Sequence, residues 1–261
     1  MAAETQYTAN TGIVNISTAN ANLDGTGTLG LLLTANAYGT LVKTITIKAR
    51  QTTTTQGMIR VFIYNGTNYN IIQEIEIPAN TNSTTNKTFE FIWSCDIKLK
   101  ADWKIYVSTQ NAESFNVFAE GLDWTYYSTA VRPESTNFTA NTGICTISTA
   151  NTQLDGSGTI VNALTATSGF NGTRIESITL KGLVNVTAGM IRVFIYDQTT
   201  NYLFREFEVP ATVKSGSQAS FEYKTDFGNY ELKTLYSLKF ATQNSESFAI
   251  TVEANDWTYP A

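Results

Sequence analysis

The 261-residue chain contains no histidine. That removes the commonest general base and the commonest metal ligand, and with them Ser–His and Cys–His nucleophile schemes. No metal and no cofactor is therefore expected. Cysteine is almost as scarce. Cys95 and Cys145 fall in different halves of the chain and read as two free, strand-borne thiols rather than a disulfide. Charge is sparse as well, at 15% of residues, against about 25% in ordinary soluble domains. Lysine and arginine number 17 against 22 aspartates and glutamates, for a net charge of −5. A chain with no basic excess lacks the face that grips a nucleic-acid backbone or an anionic membrane. No apolar run approaches the ~20 residues of a membrane helix. The opening Met1-Ala2-Ala3-Glu4-Thr5 does not carry a leader's basic-then-apolar pattern and points to synthesis in the cytosol.

Apolar residues make up 42% of the chain and aromatics 12%, enough to build a core rather than a disordered segment. Polarity comes from Thr, Asn and Ser, and the roughly 40 threonines favour strands over helices.

The chain repeats itself. Tyr7-Thr-Ala-Asn-Thr-Gly12 returns as Phe138-Thr-Ala-Asn-Thr-Gly143, and Ile16-Ser-Thr-Ala-Asn20 as Ile147 to Asn151. Leu23-Asp24-Gly25-Thr26-Gly27 returns as Leu154-Asp155-Gly156-Ser157-Gly158, and Gly57-Met-Ile-Arg-Val-Phe-Ile-Tyr64 unchanged as Gly189 to Tyr196. Thr109-Gln-Asn-Ala-Glu-Ser-Phe115 returns with one change as Thr242 to Phe248, and Asp123-Trp-Thr-Tyr126 as Asp256 to Tyr259. Order is kept and the offset drifts only slightly, so this is a tandem duplication of a domain-sized unit, not a solenoid. The expected division is a first copy over 1–127, a linker over 128–137 around Pro133, and a second copy over 138–261.

Within each copy apolar and polar residues alternate. Phe89, Phe91 and Trp93 share one face. Ile75 and Ile77 share another, as do Trp103, Ile105 and Val107, and Phe115, Val117 and Ala119. About eight strands per copy are expected, near 12–17, 28–35, 40–49, 57–65, 69–77, 87–94, 103–110 and 115–126. The fold class is all-β: two tandem β-sandwiches, most simply jelly-roll-like, with immunoglobulin-like sandwiches as the alternative.

Four features are tested for chemistry. Leu-Asp-Gly-x-Gly supplies one carboxylate per copy, Asp24 or Asp155. A Ca²⁺ loop needs six to eight oxygens, so a turn using the positive φ of glycine is the simpler reading. Glu113/Glu246, Glu120/Glu253 and Asp123/Asp256 recur, but they read as solvated or hydrogen-bonded structural acids rather than a glycosidase pair. No catalytic residue is assigned, and the chain reads as a non-enzyme. The octapeptide strand is apolar on both faces, so both must be covered. Its Met58, Arg60, Phe62 and Tyr64, with Met190, Arg192, Phe194 and Tyr196, are covered by an internal loop, by a subunit interface in which Arg60 and Arg192 pair with Glu120 and Glu253, or by a ligand. Trp124 and Trp257 close a sheet edge or stack on sugars.

The motifs together resemble small β-rich proteins encoded by tailed phages of Bacteroidetes hosts, including the crAss-like group. The likeness spans both copies. It implies a virion structural protein made in the host cytoplasm, and brings no catalytic residues. The expected role is a capsid-associated auxiliary, decoration or head-fibre protein whose partners are copies of itself, as a trimer or other symmetric assembly, and other virion proteins. A glycan-binding module on the virion and a double jelly-roll coat protein are the alternatives.

Overall fold

The structure, a computed structural model, describes residues 6–125, 136–215 and 217–259. Among them every regular element is a strand, and no helix is long and apolar enough to cross a membrane. The chain divides into two compact units. The first holds β1 (Gln6–Ile16), β2 (Gly30–Thr34), β3 (Thr40–Ala49), β4 (Thr53–Thr54), β5 (Gly57–Tyr64), β6 (Tyr69–Ile77), β7 (Asn80–Thr81), β8 (Glu90–Leu99), β9 (Lys104–Thr109) and β10 (Phe115–Thr125). The second holds β11 (Asn137–Ala140), β12 (Gly143–Ile147), β13 (Val161–Thr165), β14 (Gly172–Gly182), β15 (Gly189–Tyr196), β16 (Asn201–Val209), β17 (Glu222–Leu232), β18 (Ser237–Thr242) and β19 (Phe248–Thr258). The linker expected over 128–137 lies outside the described residues as far as 135, and Asn137 already opens β11.

Strand order decides the topology. One sheet of the first unit runs β1-β10-β3-β8 and the other β2-β9-β5-β6, with β4 and β7 forming a small separate ribbon. The second unit repeats the arrangement: β19 carries both β11 and β12 on one side and continues to β14 and β17, and the other sheet runs β13-β18-β15-β16. All these ladders are antiparallel. Two facing sheets in this winding, of four strands each or with β11 and β12 together in the place of β1, are a jelly roll. Each unit is one, and the immunoglobulin-like alternative is set aside.

The core lies between the sheets, where the inward halves of the alternating patterns meet. In the first roll Ile45, Ile47, Ile59, Val61, Ile105, Val107, Phe115 and Val117 are fully buried. In the second, Ile178, Leu180, Ile191, Val193, Leu238, Phe240, Phe248 and Ile250 are. Ile75 and Ile77 also join the core. Phe91 shares a face with Trp93 but is exposed, as is its counterpart Tyr223. Both sit on edge strands, β8 and β17, where only one side has a neighbour. The sequence-based strands are displaced mainly at two places: β1 begins at Gln6 rather than near 12, and β8 reaches Leu99 rather than 94.

Candidate functional site

The repeated octapeptide forms β5 and β15, third strand of the second sheet in each roll. Its inward residues Ile59 and Val61 enter the core, while Met58, Arg60, Phe62 and Tyr64 face outward, away from it. Phe62 and Phe194 are nonetheless fully buried, and Arg60, Met190 and Arg192 nearly so. Tyr64 and Tyr196 are half-buried.

The cover comes from the chain's own β1–β2 and β12–β13 connections, which carry the Ile-Ser-Thr-Ala-Asn and Leu-Asp-Gly motifs. Ala19 makes a parallel bridge with Thr109, and Asn20 N donates to Thr109 O at 2.8 Å. The side chain of Asn20 then shapes the strap from inside. Its Nδ2 donates to Thr26 O and Thr28 O, both at 2.9 Å, and its Oδ1 accepts from Asn22 N at 3.1 Å. The second roll repeats each bond. Ala150 bridges Thr242, and Asn151 Nδ2 donates to Ser157 O at 2.9 Å and Thr159 O at 3.0 Å.

The Leu-Asp-Gly turn completes the strap. Asp24 Oδ1 accepts from Thr26 N at 2.9 Å and Thr26 Oγ1 at 2.6 Å, and these bonds hold its carboxyl below the ordinary range. Asp155 Oδ1 likewise accepts from Ser157 N at 3.0 Å and Ser157 Oγ at 2.6 Å. Gly25 sits at φ 80°, and a Cβ there would lie 2.2 Å from Tyr69 Cβ, so the turn needs glycine for both conformation and space. Among the described residues no three His, Cys, Asp or Glu side chains cluster as metal ligands.

The arginines tie strap to sheet. Arg60 Nε donates to Glu74 Oε1 at 2.9 Å and its NH1 to Asn20 O at 3.2 Å. Arg192 does the same with Glu206 at 3.1 Å and Asn151 O at 2.8 Å. The expected partners were Glu120 and Glu253. That pairing was expected across a subunit interface; instead both arginines are buried and taken by acids of their own hairpin, and within each roll Glu120 and Glu253 lie on the other sheet, on β10 and β19. Glu120 is instead buried, bonded to Lys43 Nζ at 2.9 Å and Thr44 Oγ1 at 3.1 Å, and Glu253 pairs with Lys224 at 3.0 Å. Glu74 and Glu206 were missed as partners. The signal was available: each stands 14 residues after its arginine, directly across the hairpin.

The remaining candidates are taken up internally. Glu113 accepts from Thr55 N at 2.7 Å and Thr55 Oγ1 at 2.6 Å, and Glu246 from Thr187 N at 2.8 Å and Thr187 Oγ1 at 2.6 Å. Asp123 accepts from Asn10 Nδ2 at 2.8 Å and from Thr40 Oγ1, and Asp256 from Asn141 Nδ2 at 2.9 Å and from Thr173 Oγ1. Trp257 is buried, which leaves no ring face for a sugar. Trp124 is half-buried, its indole 3.0 Å from where a Cβ on Gly39 would stand. Cys95 and Cys145 are free thiols, each pushed up to about 11 by burial.

Beside the strap the two rolls part company. The first stacks three tyrosines, with ring centroids 4.7 Å apart for Tyr64–Tyr69, 5.3 Å for Tyr69–Tyr106 and 6.2 Å for Tyr64–Tyr106. At the same three positions the second has Tyr196, Asn201 and Lys239. Lys239 Nζ lies 3.4 Å from the Tyr196 ring centroid, and Asn201 Nδ2 donates to Gly156 O at 3.0 Å.

No family model matches the chain, and no curated protein matches it. Among solved structures it is similar to the major capsid protein P2 of bacteriophage PM2, with 12% identity, 95% of this chain and 98% of that one covered, and a TM-score of 0.26. It is similar to PNGF-II at 12% identity, with 96% and 66% covered and a TM-score of 0.29. A protein described for the triple jelly roll fold and turret assembly of an archaeal virus matches at 15% identity, with 98% and 60% covered and a TM-score of 0.25. At such TM-scores these likenesses carry no argument, and the jelly-roll assignment rests on the chain's own strand order.

Proposed function

We propose that the chain is a structural component of a phage virion, an auxiliary, decoration or head-fibre protein of the capsid that works by adhesion between subunits. The observation that carries this reading is the apolar surface left on edge strands. Phe91 and Ile92 on β8, Tyr223 on β17, and Phe138 and Ile144 on β11 and β12 are all exposed, Ile144 to 72%. All five lie on edge strands of the sheets that do not carry the strap. Unpaired edges with apolar side chains are places where a second chain gains by docking. The acids and arginines that could have served chemistry are occupied by bonds within their own roll.

This surface is not the octapeptide: Arg60, Phe62, Met190, Arg192 and Phe194 are buried within their own roll, while Met58, Tyr64 and Tyr196 are half-buried. Sedimentation of the purified chain tests the reading, together with mass spectrometry of purified particles. A symmetric oligomer, or a chain recovered on the particle, is the expected result. Ile144→Ser with Phe138→Ser should reduce that association while the circular dichroism of a β protein is retained. A chain that stays monomeric at every concentration and is missing from particles would overturn it.

A further inference from the structure

The chain has two Asn-Gly pairs, Asn65-Gly66 and Asn171-Gly172, and the fold treats them differently. Asn65 and Gly66 form the exposed tip of the β5–β6 hairpin. Gly66 has φ 96°, and nothing stands within 4 Å of the place its Cβ would take. Asn65 Oδ1 accepts from Thr67 N at 3.0 Å and Asn68 N at 2.8 Å. Asn171-Gly172 opens β14. There Asn171 N donates to Trp257 O at 2.8 Å, and Gly172 is buried and paired with Trp257 in the β14–β19 ladder.

The duplication shows what the exposed tip tolerates. The residue corresponding to Asn65 is Asp197, followed by Gln198 at φ 81°. Asp197 Oδ1 accepts from Thr199 N at 2.9 Å, Thr200 N at 2.8 Å and Thr199 Oγ1 at 2.6 Å. The closing bond is also the same, Asn65 N to Asn68 O and Asp197 N to Thr200 O, both at 3.3 Å. One turn is thus built on asparagine in the first roll and on aspartate in the second.

We propose that Asn65 is a self-modifying site whose amide is lost in the folded protein, giving the first roll's hairpin the acidic tip that the second already has. The Gly66 backbone nitrogen gives up its proton and attacks Asn65 Cγ. The Cγ–Nδ2 bond breaks and ammonia leaves with that proton, closing a five-membered succinimide. Water then opens either ring carbonyl, giving aspartate or isoaspartate, with no change of oxidation state. Three features of the tip favour the attack. Glycine offers no side chain to block it, the left-handed conformation is open to solvent, and two N–H donors on Oδ1 stabilise the negative charge that develops there. At Asn171 the nitrogen cannot turn onto the side chain without opening the ladder.

Incubation of the full chain in mildly alkaline buffer, followed by digestion and mass spectrometry, tests this. A synthetic Tyr-Asn-Gly-Thr-Asn peptide serves as the unstructured reference. The peptide carrying Asn65 should gain about one mass unit, at least about tenfold faster than the one carrying Asn171. Gly66→Gln copies the residue that the second roll holds in the same conformation. It should still fold, with a somewhat lower melting temperature because a side chain at positive φ is strained, and should slow conversion at Asn65 about tenfold or more because a side chain now crowds the attacking nitrogen. The proposal is overturned if Asn65 stays intact while the reference peptide converts, if Asn171 keeps pace, or if Gly66→Gln converts as fast as the parent chain. The comparison between Asn65 and Asn171 needs no variant, so a folding failure of Gly66→Gln leaves the test intact.

Discussion

The two rolls share an unaltered octapeptide, yet the ion pair built on it has a different character in each. In the second roll the pair is sealed: the side chains of Arg192 and Glu206 are 2% and 0% exposed. In the first, Arg60 is covered but the side chain of Glu74 is 45% exposed. The octapeptide cannot account for this, so its neighbours must. On β16, Phe204 is fully buried and packs against Phe227 at 5.9 Å and Tyr230 at 5.0 Å on β17. The corresponding Ile72 on β6 is only half-buried, and Ile71 beside it is exposed. The strap follows suit. Leu154 clusters with Phe194, Leu203 and Ala241, whereas its counterpart Leu23 is 55% exposed. A local motif sets which groups meet; the packing around it sets how much water they see, and hence how strongly each is committed.

The largest expected difference follows from that burial. Glu206→Gln strands the Arg192 charge in the interior and should cost about 3–5 kcal/mol. Glu74→Gln removes a solvated partner and should cost about 1 kcal/mol or less. Because a two-unit chain need not unfold in one step, hydrogen exchange read separately in each roll is the measurement. Equal losses in the two rolls would break the comparison.

Next come the strap leucines. Leu154→Ala should destabilise the second roll by about 2–4 kcal/mol through the cavity it leaves, and Leu23→Ala should stay within about 0.5 kcal/mol. Denaturant titration followed in each roll distinguishes them. A smaller change is expected beside the strap, where Lys239→Met removes the cation over Tyr196. About 0.5–1 kcal/mol should be lost, and Tyr106→Lys should let the first roll regain a contact of the same kind.

The smallest effect concerns the thiols, which occupy non-corresponding strands but the same sort of half-buried setting. Burial raises Cys95 and Cys145 to about 11, above the ordinary thiol value, so the folded chain holds these protons more tightly than the unfolded one. Their contribution to stability is complete below the ordinary thiol pKa and fades as pH rises through about 11. Alkylation should accordingly be slow and alike at the two sites near neutral pH, quickening only toward that value. A fast reaction at one of them would show that its strand opens locally.

Some of this was legible in the residues. The alternation that puts Phe115, Val117 and Ala119 on one face placed them correctly in the core, because a central strand has neighbours on both sides. The same alternation puts Phe91 on the face of Trp93, yet Phe91 is exposed because β8 is an edge. Glu120, read as a solvated or hydrogen-bonded structural acid, is the latter: it is buried and bonded to Lys43 and Thr44, because alternation reports a face and not what lies over it. The octapeptide strand reads as covered on both faces, and an internal loop is among its possible covers. The loop's identity was not readable, since the strap reaches β9 through contacts about 90 residues away in sequence, Asn20 to Thr109.

What the sequence determined by itself was local or repeated: the duplication, the all-β character, the inward face of each central strand, and the glycine turns, all of which follow from residue type and a period of two. The tertiary structure alone decided the strand order that makes each unit a jelly roll, the strap that seals the octapeptide, the glutamates that pair with Arg60 and Arg192, and the apolar residues left on the edges. Those outcomes depend on which distant segments come to lie side by side. One eight-residue sequence with two different degrees of burial shows that its neighbours, rather than its own residues, hold that information.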